Sequence, residues 1–196
     1  MRLLLLRFIY RSDGRKTAAD AAEIAVGAVT AQRKKTGTVS GKMDNKNTEI
    51  LSKYFDELSL TELYEIIKAR VQIFVVEQDC PYQDLDDVDY RSLHIFSKND
   101  GKITAYLRAF QKDSETVQVG RVLSLEHDKG HGGKLLHDGI KSIKEKMNPK
   151  KIYIEAQTHA IGFYEREGFN ICSEEFLEDG IPHKSMELTF DGGRSH

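Results

Sequence analysis

The sequence predicts one domain of the α/β class, and three observations support this fold class. The chain has 196 residues, of which 39% are hydrophobic, and this length suits one well-buried domain better than two. Segments with helical spacing alternate with β-branched runs, in the order helix, three strands, helix, strand, helix and two strands. The first two strands flank Asn99-Asp100-Gly101, whose Asp-Gly pair is a strong signal for a tight hairpin turn.

Residues 1–42 are predicted to be an extension that carries no function. They contain nine Lys and Arg against three Asp and Glu, whereas residues 43–196 contain twenty against twenty-eight. Met43 begins a polar stretch that looks like a natural start, so the extension would be upstream translated sequence or an addition made for expression. Residues 192–196 resemble the remnant of an affinity tag. The domain is therefore expected to span residues 43–191.

Composition disfavours several classes of protein. Residues 43–196 have a formal charge of -8, which disfavours binding to nucleic acid. The leucine run that ends at Leu6 is followed by Arg7 and is too short for a membrane span or a good signal peptide. Cys80 and Cys172 form neither a disulfide framework nor a Cys-x-x-Cys zinc motif. These observations predict a cytoplasmic protein with no membrane partner, and they leave open whether it forms a homodimer.

The first predicted helix of the domain begins at Ser59, which forms a capping-box pattern with Glu62. The apolar residues of this segment fall at helical spacing: Leu60, Leu63, Tyr64, Ile67 and Val71. Pro81 and five aspartates within residues 79–90 then predict an irregular, solvated acidic loop.

The remaining elements are predicted from strand and helix patterns and from the breakers between them. Asn148-Pro149 ends the second helix because proline lacks an amide hydrogen and disfavours helix in the residue before it. Gly168 is the expected C-terminal glycine of the third helix. In chain order the predicted elements are strands 93–97, 102–110 and 116–124, a helix from about Gly132 to Met147, strand 151–156, helix 160–167, and strands 169–176 and 184–190.

A glycine-rich turn joins the third strand to the second helix. This arrangement directs unpaired backbone amides and the positive end of the helix at one point, which favours binding of an anion. A Walker phosphate loop does not fit, because Lys134 is followed by leucine rather than serine or threonine. A dinucleotide fingerprint does not fit either, since the preceding strands form an antiparallel meander.

With its neighbours, this turn resembles the coenzyme A motif of the GNAT superfamily of N-acetyltransferases, Gln/Arg-x-x-Gly-x-Gly/Ala. The stretch 157-QTHAIGFYEREGF-169 is similar to the superfamily's Asn-x-x-Ala-x-x-x-Tyr-Glu-x-x-Gly-Phe element, with Gln157 in place of the asparagine. More narrowly, the chain resembles the ElaA-like branch in 74-FVVEQDCPYQDLDDVD-89, 120-GRV-122, 156-AQ-157 and 178-EDGIPH-183. The resemblance covers nearly all of residues 50–190. It implies a mixed, mostly antiparallel twisted sheet flanked by helices, with the cofactor in a gap between the strands ending near Ser124 and Ala156.

The resemblance implies that acetyl-CoA is the cosubstrate. Its pantetheine arm would add to the free edge of the third strand and its pyrophosphate would lie on the glycine turn. The sequence departs from the family at the Gln/Arg position, which holds His127 or Lys129 depending on the register. Lys129 and Lys134 supply point charges instead. The residues expected to bind the cofactor are Val122, Leu123, Ser124, Lys129, Gly130, His131, Gly132, Gly133, Lys134 and Gln157.

The resemblance places Tyr164 where the superfamily has its usual general acid, which protonates the departing thiolate. Glu77 follows the apolar residues Ile73–Val76, surroundings in which a carboxylate can serve as the general base; His94 and His183 are alternatives. The acidic run could steer a cationic amine to the site. No carboxylate–histidine spacing supports a metal site. Direct transfer is preferred to an acyl-enzyme on Cys80, because sequence identifies no partner histidine for it.

The predicted function is therefore transfer of an acetyl group from acetyl-CoA to a primary amine of a small molecule or peptide, by direct attack of the amine. The alternative is a non-catalytic acyl-CoA-binding or regulatory module, which the missing Gln/Arg would suit.

Overall fold

The computed structural model of the chain describes residues 49–125 and 130–190, in which eight strands form one mixed sheet. The strands are β1 Glu49–Tyr54, β2 Leu93–Asn99, β3 Lys102–Gln111, β4 Thr116–Ser124, β5 Lys151–Gln157, β6 Asn170–Ile171, β7 Phe176–Glu178 and β8 Ile181–Thr189. They are ordered β1-β2-β3-β4-β5-β8-β6, and β7 also pairs with β8. Only the β4–β5 pair is parallel, so the predicted mostly antiparallel α/β fold is confirmed. The predictions for residues 1–42 and 192–196 lie outside the described residues.

The helices are α1 Leu60–Arg70, α2 His131–Met147 and α3 Ile161–Glu165, with a π-helical segment Val71–Glu77 directly after α1. The predicted capping box is confirmed: the Glu62 amide donates to Ser59 Oγ (3.2 Å), and the Ser59 amide donates to Glu62 Oε2 (3.0 Å). The predicted hairpin is also confirmed. Asp100 and Gly101 have φ of 51° and 78°, the positive values that a type I′ turn requires.

Two details of the amino-terminal half differ from prediction. Strand β1 was not expected, because the adjacent apolar residues Ile50 and Leu51 break the alternation of a half-buried strand. The predicted helix α1 is present, but two of its regularly spaced apolar residues are exposed, Leu60 by 86% and Tyr64 by 67%. The face that packs on the sheet instead carries Glu62, Ile66, Ala69 and Arg70.

The carboxy-terminal strands also differ in extent. The predicted strand over residues 169–176 is broken into β6 and β7, and β8 begins at Ile181 rather than at residue 184. The turn between β7 and β8 contains Asp179 and Gly180, both with positive φ.

The acidic loop is not the solvated loop that its composition predicted. Asp84 and Asp89 are only 4% and 8% exposed, because both bind the buried guanidinium of Arg70. Arg70 Nε donates to Asp84 Oδ2 at 2.9 Å, and Arg70 Nη1 donates to Asp89 Oδ1 at 2.6 Å. Burial opposes the charged form of Asp89, but the bonds from Arg70 and Arg108 outweigh it and lower the pKa of Asp89.

Two arginines of the sheet hold the other side of this loop. Arg108 on β3 forms a bidentate pair with Asp86, at 2.6 and 2.8 Å, and also donates to Asp89 at 3.0 Å. Arg121 on β4 donates from Nε to Asp84 Oδ1 at 2.8 Å. The loop is therefore fastened to the sheet by charge-assisted hydrogen bonds, the stronger kind in proteins.

Apolar residues fill the opposite face of the sheet, beneath α2 and α3. Gly139 lets α2 approach closely, since a Cβ there would lie 3.1 Å from Leu107 Cδ2. The buried residues of this core include Leu93, Ile95, Leu107, Val117, Val119, Leu135, Leu136, Ile143, Ile152, Ile154 and Met186.

Candidate active site

The two parallel strands at the centre of the sheet separate halfway along their length. Pairing of β4 with β5 ends at Val119 and Ile154, so no β5 residue pairs with Val122, Leu123 or Ser124. A register shift against β3 occurs in the same part of β4, where Arg121 has a φ of 53°. A bulge of this kind bends a strand and increases its local twist. The predicted gap between the ends of β4 and β5 is therefore present.

Helix α2 begins within the predicted glycine turn. Gly130 is the N-cap with a φ of 74°, and the helix begins at His131. The first amides of a helix have no intrahelical acceptor, so those of Gly132 and Gly133 are suited to an anion. The Lys134 amide already donates to the Gly130 carbonyl at 3.1 Å.

Of the two lysines expected to supply positive charge here, Lys134 is described and is ion-paired. Lys134 Nζ donates to Asp138 Oδ2 at 2.7 Å, so its ammonium already has a carboxylate partner one turn along the helix. Lys129 and His127 lie outside the described residues.

The helix start lies directly beside the end of β4. A Cβ on Gly132 would be 3.5 Å from Ser124 Cβ and 3.9 Å from the Phe163 ring. Gln157 ends β5 on the far side of the gap, where it pairs with His183 of β8. Of the predicted cofactor residues, Ser124 and Gly132 therefore lie side by side, and Gln157 ends the strand that runs parallel to β4.

Tyr164 lies on α3 and is 7% exposed. Its ring packs edge-on against Phe163 and Phe169, with centroid distances of 5.0 and 6.0 Å. Burial raises the pKa of the Tyr164 phenol above its ordinary value, so the hydroxyl stays protonated at neutral pH. Among the described residues, no hydrogen-bond partner of this hydroxyl is found.

The three candidate bases are in different environments. Glu77 lacks the apolar surroundings expected of it: it is exposed at the end of the π-helical segment and accepts a hydrogen bond from Gln72 at 3.0 Å. His94 is buried and bonded at both ring nitrogens, to the Tyr106 hydroxyl (2.8 Å) and the Asp89 carbonyl (3.0 Å). Burial lowers the pKa of His94, which fits a neutral structural histidine.

His183 pairs with Gln157 at the end of β5. Its Nδ1 donates to the Ile181 carbonyl at 2.8 Å, and its ring stacks on Phe176. Sequence reasoning missed another carboxylate, Glu155, which follows the last β4–β5 pair. The alternation of β5 was the available signal, because it places Glu155 on the face opposite Ile154.

Other features of the described residues point to no second centre. A surface cleft of about 510 Å³ is lined by Tyr54, Phe55, Asp56, Glu57, Tyr90 and Arg91, none of which borders the gap. Within the described ranges, no cluster of three His, Cys, Asp or Glu residues could hold a metal ion. None of the helices in these ranges is long and apolar enough to cross a membrane.

Comparison with known proteins identifies matches over the same part of the chain. Residues 61–190 match the family model described as the acetyltransferase (GNAT) domain. A UPF0039 protein of Schizosaccharomyces pombe is 38% identical over 146 residues, which cover 72% of this chain and 97% of that protein. ElaA of Escherichia coli is 36% identical over 139 residues, covering 68% and 91%.

Two crystal structures are similar in fold to the described domain. Each has a TM-score of 0.68 and 33% sequence identity, and covers 72% of this chain and 99% of its own. One is Escherichia coli ElaA, and the other is an acyl-CoA N-acyltransferase from Pseudomonas aeruginosa.

Proposed function

This chain belongs to the GNAT acetyltransferase family, and we propose that it transfers the acetyl group of acetyl-CoA to a primary amine by direct attack. The observation that carries the proposal is the gap between β4 and β5, with the start of α2 beside it. An extended strand edge and a helix amino terminus at one place suit a ligand with both an amide-containing arm and a pyrophosphate.

In this proposal, each part of acetyl-CoA contacts its own element. The pyrophosphate lies at the start of α2, on the backbone of Gly130, His131, Gly132 and Gly133, with Lys134 and Lys129 adding positive charge nearby. The pantetheine arm lies along β4 at Val122, Leu123 and Ser124, and the Gln157 amide binds it from β5. A backbone amide of β4 stabilises the oxyanion that forms on the thioester carbonyl.

The reaction moves one acyl group and three protons. The acceptor ammonium first loses a proton to a base, and the free amine attacks the thioester carbonyl carbon. The carbon–sulfur bond then breaks, and the thiolate of CoA takes a proton from the Tyr164 phenol. The nitrogen, now cationic, loses its second proton to solvent to give the neutral amide, and solvent restores the proton of Tyr164. Burial keeps the Tyr164 phenol protonated but also makes it a weaker acid, so this role is supported by its place in the family motif rather than by its pKa. Glu77, the base predicted from sequence, is exposed, so proton transfer to it would pass through water.

Tyr164→Phe tests the assignment of the general acid, because it keeps the ring and removes only the hydroxyl. We expect kcat to fall about 10²-fold, the lower end of general acid catalysis, while the affinity for CoA changes little. Tyr90→Phe makes the same chemical change at an exposed ring outside the gap and should leave kcat unchanged. An unaltered kcat in Tyr164→Phe, measured where chemistry limits the rate, would remove Tyr164 from the mechanism.

The competing function is a non-catalytic acyl-CoA-binding module. The pairing of Lys134 with Asp138 and the departure from the family's Gln/Arg position are the observations that favour it. Release of free thiol from acetyl-CoA, followed across a panel of alkylamines, diamines, amino sugars and lysine peptides, separates the two functions. Turnover with any amine supports the enzyme. Tight binding of CoA by calorimetry with no turnover across the panel supports the binding module.

A further inference from the structure

The face of β5 opposite the apolar core carries a connected set of polar side chains. Ile152, Ile154 and Ala156 point into the core, so Tyr153 and Glu155 lie on the other face. That face is across the sheet from α2, whose start is the proposed pyrophosphate site. An acceptor that approaches from this face would meet the thioester without competing with CoA for space.

Glu155 is held in place by its neighbours on both adjoining strands. Gln118 Nε2 on β4 donates to Glu155 Oε2 at 3.2 Å, and the Tyr153 hydroxyl donates to Glu155 Oε1 at 3.0 Å. Tyr153 has one hydroxyl hydrogen, so the buried Ser185 hydroxyl, 2.7 Å away, donates to the Tyr153 oxygen. The direction of these hydrogen bonds therefore runs from Ser185 through Tyr153 to the Glu155 carboxylate.

The Glu155 carboxylate has no cationic partner within the described residues. Its neighbour on the same face, Glu187 of β8, pairs with Lys151 at 2.7 Å. Each oxygen of Glu155 accepts one neutral hydrogen bond and can accept another. An ordered, half-buried carboxylate with remaining acceptor capacity and no ion pair is suited to an external cation.

Open space lies where Glu155 meets the gap. Continuation of the β4–β5 register would place Glu155 opposite Gly120, one residue beyond the last observed pair. A Cβ built on Gly120 meets nothing within 4 Å. Gly120 and Gln118 are two residues apart on β4 and so share a face. The carboxylate therefore borders an unfilled position at the point where the strands part.

The same face already accommodates an ammonium group. Lys112 Nζ lies 3.4 Å from the centroid of the Tyr153 ring, a cation–π contact beside the hydroxyl that orders Glu155. Because Lys112 occupies this ring, recognition of the acceptor ammonium falls to Glu155 rather than to Tyr153.

We propose that Glu155 binds the ammonium group of the acceptor and takes the proton that the amine must lose before attack. This inference rests on the acetyltransferase function proposed above and specifies its substrate as a cationic primary amine entering over Gly120. The N–H bond of the ammonium breaks, its proton passes to a carboxylate oxygen of Glu155, and the nitrogen lone pair attacks the thioester carbonyl carbon. The carbon–sulfur bond breaks, the thiolate takes the proton of Tyr164, and the nitrogen loses its second proton to solvent. Solvent then removes the proton from Glu155. Gln118 and Tyr153 are positioning residues for this carboxylate.

Glu155→Gln in the full chain tests the proposal, because the side chain keeps its size and loses its charge. With the best amine of the panel, kcat/KM should fall at least about 10²-fold, the lower end of general base catalysis. The dissociation constant of CoA, measured by calorimetry, should change less than about twofold, since CoA binds on other elements. Glu155→Asp keeps the negative charge but withdraws it by one methylene from the acceptor. Its kcat/KM should lie between those of the wild type and Glu155→Gln, a ranking that loss of folding would not produce.

Two matched variants discriminate Glu155 from other carboxylates. Glu187→Gln removes a paired carboxylate from the same face and should retain kcat/KM within about threefold. Glu77→Gln removes the competing base predicted from sequence, and its loss of kcat/KM should be smaller than that of Glu155→Gln. A large loss in Glu77→Gln with wild-type kinetics in Glu155→Gln would overturn the proposal.

Calorimetry with n-butylammonium chloride in the presence of CoA separates failure of this proposal from failure of the enzyme function. If the wild-type chain turns over no amine, weaker binding of butylammonium to Glu155→Gln than to wild type still supports the ammonium site. Equal binding to both chains would overturn it, whatever the outcome of the turnover assay.

Discussion

The two faces of the sheet are stabilised by different interactions. Beneath α2 and α3 lies a continuous apolar core that includes Leu135, Ile143 and Ile152. The other face also buries apolar residues of α1, such as Ile66, but three arginines fasten the acidic loop to it. One face is therefore stabilised by burial of apolar surface alone, and the other depends in addition on the ionisation of its carboxylates.

This difference matches the proposed division of labour between the faces. An apolar core fixes α2 relative to β4 and so keeps the proposed anion site beside the gap. Because this packing is between apolar side chains, the position of α2 should not depend on pH. The polar face presents Glu155 and Tyr153 to the acceptor, where charge and hydrogen bonds select the ligand. The ionic face is the side of the sheet where Arg70, Arg108 and Arg121 hold the acidic loop. It also lowers stability at one point, because Arg108 Nε is buried without a hydrogen-bond partner among the described residues.

Arg70→Met should break the ionic face and has the largest expected effect on stability. The substitution leaves Asp84 and Asp89 buried with fewer partners, and loss of one member of a buried pair costs about 3–5 kcal/mol. We expect the lower end, about 3 kcal/mol, because Arg108 and Arg121 still bind these aspartates. The free energy of unfolding in urea measures the loss.

Ile152→Ala on the apolar face and Lys141→Met on the surface are the matched controls. Ile152→Ala should cost about 2–5 kcal/mol, equally at pH 7 and pH 3, because it removes only apolar contacts. Lys141 forms a 3.5 Å exposed pair with Asp138, so its loss should cost less than about 1 kcal/mol. Arg70→Met with a stability near that of Lys141→Met would show that the buried pairs contribute little.

Lowering the pH should weaken the ionic face selectively. Burial alone would raise the pKa of Glu62, but hydrogen bonds from Lys53, Ser59 and Lys98 lower it to about 2. Because the folded-state pKa is depressed, the stabilisation is complete above the ordinary glutamate pKa of 4.5 and is lost as pH falls towards 2. The pKa of Asp86 is also lowered to about 2, despite partial burial, by its pairing with Arg108 and adds to the same window.

Urea unfolding at pH 7, 5, 4 and 3 measures this dependence. Between pH 5 and 3 the wild-type chain should lose about 2 kcal/mol, and Glu62→Gln should lose less over the same interval. A Glu62→Gln curve parallel to that of the wild type would assign the acid sensitivity to other carboxylates.

The local features of the fold could be predicted from sequence because their signals lie within a few residues. The capping box at Ser59, the Asp100-Gly101 turn and the glycine start of α2 depend on neighbouring residues. Strand β4 followed from its own residue pattern, and the gap beside it was implied by the family resemblance. These elements were placed correctly before any tertiary contact was known.

The ionic face could not be predicted because its partners are far apart in the chain. Arg70 is 14 and 19 residues from its two aspartates, and Arg121 is 37 residues from Asp84. Composition alone made residues 79–90 an exposed acidic loop, because no local pattern shows where a distant arginine will lie. The position of Glu155 was missed for a similar reason, since its partners Gln118 and Ser185 come from other strands.

The smallest expected effect on stability comes from the exposed side of α1. Comparing it with the buried side tests which residues of the helix pack on the sheet. Leu60 belongs to the apolar spacing that predicted the helix but is 86% exposed, whereas Ile66 is fully buried. Leu60→Ala should therefore change the free energy of unfolding by less than about 0.5 kcal/mol. Ile66→Ala, on the same helix, should cost about 2–5 kcal/mol because it opens a cavity against the sheet. The reverse ranking would mean that α1 packs through its Leu60 face and that Arg70 does not reach the acidic loop, which would remove the ionic face itself.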